Sequence, residues 1–239
     1  MTLEPSSPLP LYHQLERVLA ERIAEGRYRQ GFPGDLELAA EFSVSRGTVR
    51  QALERLARSG LIVRHQGRGS FVAAPLEYPL GRFYRFAHEM HVRGIPESSR
   101  VLARGLVRAP AAVAAALGLG RGEKVLRIGR LRLAGERPLL LETSHFPEDV
   151  GAALHFADLS AGSLYDLLEA GGVHLSRVTE EVHPVSLRED DAEPFGLPAG
   201  APAFAVERLA YAGERPVEHR SVLAPGDRVT LTASWGNLG

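Results

Sequence analysis

The chain has 239 residues, 44% of them hydrophobic and 24% charged, with a formal net charge of −1. Those are globular values for one large or two smaller domains, and they exclude a disordered or fibrous chain. There is no cysteine, which excludes disulfides and thiolate metal sites, and no apolar run approaches the ~18 residues of a membrane-spanning helix.

The near-zero charge conceals a polarity. Residues 1–74 hold 10 Arg against 8 Asp+Glu, whereas residues 75–239 hold 18 Lys+Arg against 21 Asp+Glu. Within 41–72 six arginines (46, 50, 55, 58, 64 and 68) face only Glu41 and Glu54. A basic patch confined to one stretch of a near-neutral protein fits a nucleic-acid surface. The N-terminus carries no signal-peptide pattern, so a cytoplasmic protein without a membrane partner is expected.

In chain order, residues 1–9 read as a loose arm. Pro10 suits the opening of a helix, and Leu11, Leu15, Val18, Leu19 and Ile23 follow at helical spacing. Gly26 and Gly31 end that helix. A second spans about Asp35 to Phe42, with Asp35 and Glu37 near its positive end. Ser45 then caps a third helix over Arg46–Arg58, which carries Val49, Leu53 and Leu56 on one face and stops at Gly60. A strand at Leu61–Val63, the turn Gln66-Gly67-Arg68-Gly69 and a return strand through Phe71 and Val72 complete a winged helix-turn-helix. Its recognition helix would enter the major groove of double-stranded DNA with Arg46, Thr48 and Arg50, since guanidiniums suit guanine edges and phosphates. The plainer alternative is an amphipathic helix with a solvated basic face.

Residues 75–82, with Pro75, Pro79 and Gly81, read as a hinge between a 1–74 domain and an 83–239 domain. Phe83, Tyr84 and Phe86 open the second domain. His88 and His91 are three residues apart but have no evident third ligand, so no metal and no cofactor is expected. Strands then dominate: 101–107, 124–133, 138–145, 174–187, 203–212, 216–223 and 228–234. Short helices are expected at 110–117 and 163–169. The sequence A-G-E-R-P occurs at 134–138 and again at 212–216, each time between two strands. A duplicated hairpin and a recurring turn chemistry explain it equally well. The mixture is α+β with an antiparallel sheet. Arg130 and Arg132 fall on one side of a strand, where two guanidiniums can hold a carboxylate or phosphate, with Glu142 on the neighbouring strand to orient hydroxyl or amine groups.

Two resemblances organise these readings. P-L-Y-H-Q-L at 10–15, the helix at 35–42, V-S-R-G-T-V-R-Q-A-L at 44–53, G-L-I at 60–62 and Q-G-R-G-S-F-V at 66–72 resemble the GntR family of bacterial transcription regulators. The resemblance implies that Ser45, Arg46, Thr48 and Arg50 contact operator DNA, and that the wing at Gly67, Arg68 and Gly69 enters the minor groove. Where the family usually reads L-P-S-E-R-E-L-A, this chain reads F-P-G-D-L-E-L-A. Gly34 thus stands for a capping serine and Leu36 for an arginine that often touches DNA.

R-L-R at 130–132, E-T-S-H-F-P at 142–147, S-L-Y-D-L-L-E at 163–169, F-G-L-P-A-G-A-P at 195–202, R-P-V-E at 215–218 and P-G-D-R at 225–228 resemble the UTRA (HutC-type) effector-binding domain. Its fold is similar to that of chorismate lyase. That resemblance implies an effector pocket with Arg130, Arg132, Glu142, Ser163, Tyr165 and Glu218, and more weakly Tyr211; Ala224 stands where many relatives have tyrosine. The expected protein is a regulator, a repressor acting as a homodimer on a palindromic or pseudo-palindromic operator and controlled by a small anionic metabolite. The alternative is an enzyme of chorismate-lyase-like fold acting on a small carboxylic acid. No Ser-His-Asp spacing, phosphate loop or metal cluster supports it, and fold alone does not carry function.

Overall fold

The heptad-like recurrence of Leu15, Val18 and Leu19 buries one side of α1 (Leu11–Ala24), and the other helices of the first unit close over that side. The computed structural model describes residues 3–28, 31–65, 69–73, 75–79 and 86–234. These fall into two units, Met1–Ala74 and Pro75–Gly239.

In the first unit, α2 (Asp35–Phe42) and α3 (Arg46–Arg58) pack against α1 around Leu15, Leu19, Leu38, Val49, Leu53 and Leu56, all fully buried. Each such leucine is worth about 1.5–3 kcal/mol of burial. Gly34 has no side chain to cap α2; instead its N–H donates to the Glu37 carboxylate at 2.8 Å. Ser43, left-handed at φ 53°, turns the chain from α2 into α3. The expected loose arm is anchored over residues 3–9: Leu3 packs into the core, and the Gln14 side chain donates to the Glu4 and Leu9 carbonyls. The wing is the antiparallel pair β1 (Ile62–His65) and β2 (Gly69–Val72). Gln66, Gly67 and Arg68 at its tip lie outside the described residues.

The stretch expected as a hinge differs from its reading. Leu76–Pro79 is a strand, β3, pairing in parallel with β10 (Val229–Thr232), so it belongs to the second unit. The physical reason is Tyr78, which is fully buried and stacks at 6.4 Å on Phe86, the first residue of α4 (Phe86–Val92). Phe83 and Tyr84 lie outside the described residues.

The body of the second unit is a six-stranded antiparallel sheet in the order β4-β5-β6-β9-β8-β7. The strands are β4 (Glu97–Arg108), β5 (Lys124–Ala134), β6 (Arg137–Pro147), β7 (Arg177–Ser186), β8 (Pro202–Ala212) and β9 (Arg215–Pro225). Its centre is two hairpins side by side, β5–β6 and β8–β9, joined where Leu141–His145 pairs with His219–Leu223. Both turns are the A-G-E-R-P copies, with Gly135 at φ 59° and Gly213 at φ 62°. Each hairpin also has the same irregularity beside its turn: Leu133 faces Pro138 and Arg132 faces Leu140, as Tyr211 faces Pro216 and Ala210 faces Glu218. Leu139 and Val217 are thus matching bulges, both buried. Turn chemistry alone needs no shared bulge, so the copies share a whole hairpin geometry.

α5 (Ala111–Leu117) covers one face of the sheet through Val113 and Leu117. The opposite face holds two apolar clusters, one around Phe86, Met90, Leu140, Val206 and Val222, the other around Ile128, Phe146, Leu154, Leu164 and Leu168. α4 and α7 (Leu164–Ala170) contribute to these clusters, α6 (Glu148–Gly151) joins the second, and α8 (Glu189–Ala192) supports the first face.

Candidate functional site

Each unit presents a candidate site. In the first, the Ser45 Oγ accepts the Thr48 N–H at 3.1 Å and lies 2.9 Å from the Thr48 hydroxyl, so Thr48 shares the cap. Arg46 and Arg50 emerge from the first turns of α3, exposed and without an ion pair among the described residues. Arg58, in the last turn of α3, is likewise exposed without an ion pair among the described residues, whereas three other arginines are committed. Arg55 holds Glu16 at 2.5 Å, Arg22 holds Glu41 at 2.5 Å, and Arg64 of the wing holds Asp35 at 3.1 Å. Arg64 thereby ties the wing to the start of α2. Gly69 opens β2 at φ 94°, a conformation that favours glycine. Leu36 is 64% exposed, an apolar side chain at the position where an arginine often touches DNA.

In the second unit, strand alternation sends Arg130 and Arg132 to the same sheet face, as expected. They begin a charged row that crosses the sheet between the two apolar clusters. Arg130 donates to Glu142 at 2.9 Å; Arg132 holds Glu97 at 2.9 Å and lies 3.6 Å from Glu142. Arg220 pairs with Glu218 at 2.7 Å and reaches Glu142 at 3.6 Å, and Arg208 donates to Glu180 at 2.8 Å. Tyr165 donates its hydroxyl to Glu218 at 2.5 Å, under the Arg220 guanidinium. Arg132 rests on the Phe86 ring at 4.5 Å.

These groups are buried, and their protonation follows from who surrounds them. Burial alone would raise the Glu142 carboxyl, but Arg220, Arg132 and Arg130 together hold it well below the usual carboxylate range. Burial pushes Arg130 down to about 10 against the pull of Glu142, leaving it charged at neutral pH. Burial likewise pushes the Tyr165 phenol up, so it stays a donor. Several donors remain unspent: Arg130 Nε and Nη1, Arg132 Nε, and the hydroxyls of Ser99 and Ser144 are buried without a hydrogen-bond partner among the described residues.

A cavity of about 1380 Å³ lies over part of this row. Ser163, which caps α7, and Tyr165 line it, as do Glu97 and Glu180. Arg130, Arg132, Glu142 and Glu218 sit in the buried row, joined to those lining residues by its bonds. Tyr211 stands apart, its ring under the Arg177 guanidinium at 3.8 Å. Ala224 is fully buried in the apolar cluster beside the row. Glu97, Glu180, Arg208 and Arg220 were not singled out from sequence. The hairpin copies carried a signal for two of them: aligning A-G-E-R-P superimposes Arg208 on Arg130 and Arg220 on Glu142. His88 and His91 also line the cavity, and no group of three metal-ligating side chains exists among the described residues. No described helix is long and apolar enough to cross a membrane.

A three-helix unit with a wing and an exposed basic helix, followed by a cavity-bearing antiparallel sheet, defines a one-component DNA-binding regulator. The comparisons agree. Residues 11–72 match "Bacterial regulatory proteins, gntR family" and residues 93–230 match the UTRA domain. The chain is 33% identical over 236 residues to the HTH-type transcriptional repressor NagR of Bacillus subtilis, covering 97% of each. It is 29% identical to the histidine utilization repressor of Klebsiella aerogenes, again over 97% of each. The crystal structure of PhnF from Mycobacterium smegmatis superimposes with a TM-score of 0.62 at 29% identity, covering 85% of this chain and 91% of that one. This chain belongs to the GntR family of bacterial regulators, in the HutC-like group that carries a UTRA domain. It is a DNA-binding transcriptional regulator with an effector-binding domain, and its family and relatives are regulators rather than enzymes.

Proposed function

We propose that the chain is a cytoplasmic repressor that binds a palindromic or pseudo-palindromic operator as a homodimer, through a winged helix at 1–74, and answers to an anionic metabolite held by its second domain. The observation that carries the DNA reading is the contrast among arginines. Arg46 and Arg50 are exposed on a capped helix, with no ion pair among the described residues, while Arg22, Arg55 and Arg64 are committed to carboxylates. In this reading Ser45, Arg46, Thr48 and Arg50 meet the operator, and Gly67, Arg68 and Gly69 form the wing tip. Replacing Arg46 with alanine and comparing operator with random DNA at fixed salt tests it; retained preference for the operator would sink the assignment.

The unspent donors on Arg130 and Arg132 support an anionic effector, since a carboxylate or phosphate would satisfy groups that are otherwise costly to bury. Glu142, Ser163, Tyr165 and Glu218 would position it, with Tyr211 further out. Coupling between the two sites is expected at about 1–3 kcal/mol, as for other allosteric pairs. A thermal-shift panel of phosphosugars, amino-acid derivatives and small carboxylates tests this part. A stabilising compound should lose its effect in Arg132→Ala.

A further inference from the structure

One buried group in the cavity wall is not used by that reading. Glu180, on β7, gives one carboxylate oxygen to Arg208, from which it receives both the Nε–H and an Nη2–H. Its other oxygen, Oε2, is buried and has no hydrogen-bond partner among the described residues. The side chain is 9% exposed, and the residue lines the cavity. A carboxylate oxygen has only acceptor capacity, so whatever completes it must be a donor. The surrounding wall favours a cationic donor: Glu97, Asp166 and Glu169 also line the cavity, and among the described lining residues Arg177 is the guanidinium, beside the imidazoles of His88, His91 and His174. Arg177 is itself stacked on Tyr211. Among the described lining residues carboxylates outnumber guanidiniums, whereas the unspent guanidinium donors belong to Arg130 and Arg132 on β5. The two ends of the charged row thus differ, with spare donors on β5 and a spare acceptor on β7.

We propose that Glu180 is a second recognition point of the effector site, taking a protonated amine through Oε2, so that the effector is a small molecule bearing both an anionic group and an ammonium. The proposal rests on the anionic-effector reading and narrows it to a class. A neutral hydroxyl in place of the ammonium would satisfy Oε2 but gain nothing from the other carboxylates, which is what separates the two donors.

The test uses the full chain and three probe sets of matched length, from two to twelve carbons because β5 and β7 lie four strand spacings of about 4.8 Å apart in the sheet: n-alkyl phosphates, n-alkylammonium ions and ω-aminoalkyl phosphates. Binding is followed by calorimetry at neutral pH and moderate salt. The aminoalkyl phosphates should bind about tenfold or more tightly than the alkyl phosphates, the scale of one charge-assisted hydrogen bond. Glu180→Gln should abolish that gain while alkyl phosphates still bind, and Asp166→Asn should preserve the gain. A gain that survives Glu180→Gln, or that disappears in Asp166→Asn instead, would overturn the assignment. Alkyl phosphates binding with no advantage for any amine would overturn the Glu180 subsite and leave the anionic reading standing. Alkylammonium binding that depends on Glu180, without alkyl phosphate binding, would overturn the anionic reading and support the subsite. No binding by any probe would overturn both. If Glu180→Gln does not fold, the unaltered chain still shows whether the amine gain exists, and its loss in Asp166→Asn would still overturn the assignment.

Discussion

The two units use the same residue, arginine, in opposite ways. In the first, Arg46 and Arg50 stand in solvent on a helix whose inner side is apolar, and the fold does not need their charge. In the second, Arg130 and Arg208 are about 1% exposed, and the fold pairs them with Glu142 and Glu180 respectively. An exposed guanidinium is available to a partner at little conformational cost. A buried one must be compensated within the fold, and removing its carboxylate leaves charge stranded in low dielectric. Recognition and stability are therefore separable in the first unit and entangled in the second.

The largest test of that contrast is Glu142→Gln. It removes the carboxylate shared by Arg130, Arg132 and Arg220 and should cost the second unit about 3–5 kcal/mol, the scale for breaking a buried ion pair. Denaturant unfolding would measure it, and a loss below about 1 kcal/mol, the range of surface pairs, would show that the row is solvated. Arg46→Ala should leave unfolding unchanged while costing about 1–3 kcal/mol of operator affinity if it reads a base. A shift in stability comparable to that loss would erase the proposed separation of roles.

The opposite sheet face offers a pH test. Burial, with help from His219 and Arg127, pushes the His145 imidazole down to about 4. Its folded value thus lies below its unfolded value of about 6.5, so it contributes stability that is complete above about pH 6.5 and is lost as pH falls toward 4. The depressed Glu142 carboxyl adds a second loss, beginning below the ordinary carboxylate range of about 4.3. Melting temperature should accordingly fall in two stages on acidification, with the first removed in His145→Phe. A flat profile between pH 6.5 and 4.5 in the unaltered chain would contradict the His145 assignment.

Smaller effects refine the first unit. Ser45→Ala removes the acceptor of the Thr48 N–H and should cost about 1 kcal/mol of stability, with a parallel loss in operator binding because Arg46 follows the cap directly. Gly34→Ser restores a side-chain cap where an added Cβ meets only the Glu37 carboxylate, at 3.8 Å. It should raise stability by a few tenths of a kcal/mol. A decrease would mean that the backbone at residue 34 is held by something other than Glu37.

Local rules sufficed where the structure is local. The cap at Ser45, the apolar spacing of Val49, Leu53 and Leu56, and the glycine after Arg58 place α3 within a residue of where it forms. Period-two alternation placed Arg130 and Arg132 on one face. Pro75 and Pro79 misled for the reverse reason. Proline argues against the middle of a sheet, but β3 is a four-residue strand pairing, among the described residues, with β10 alone, and the burial of Tyr78 outweighs the local signal.

What the sequence determined by itself was the order of elements in the first unit, the sheet class of the second, the basic helix and the residue types of the effector region. Their partners were decided by the tertiary structure. Glu97, Glu142, Glu180 and Glu218 come from four strands, and which arginine each one faces depends on the register between strands distant in sequence. Strand order and bulge position set that register, and neither is a local property. The open valence of Glu180 became visible only once Arg208 had claimed the other oxygen.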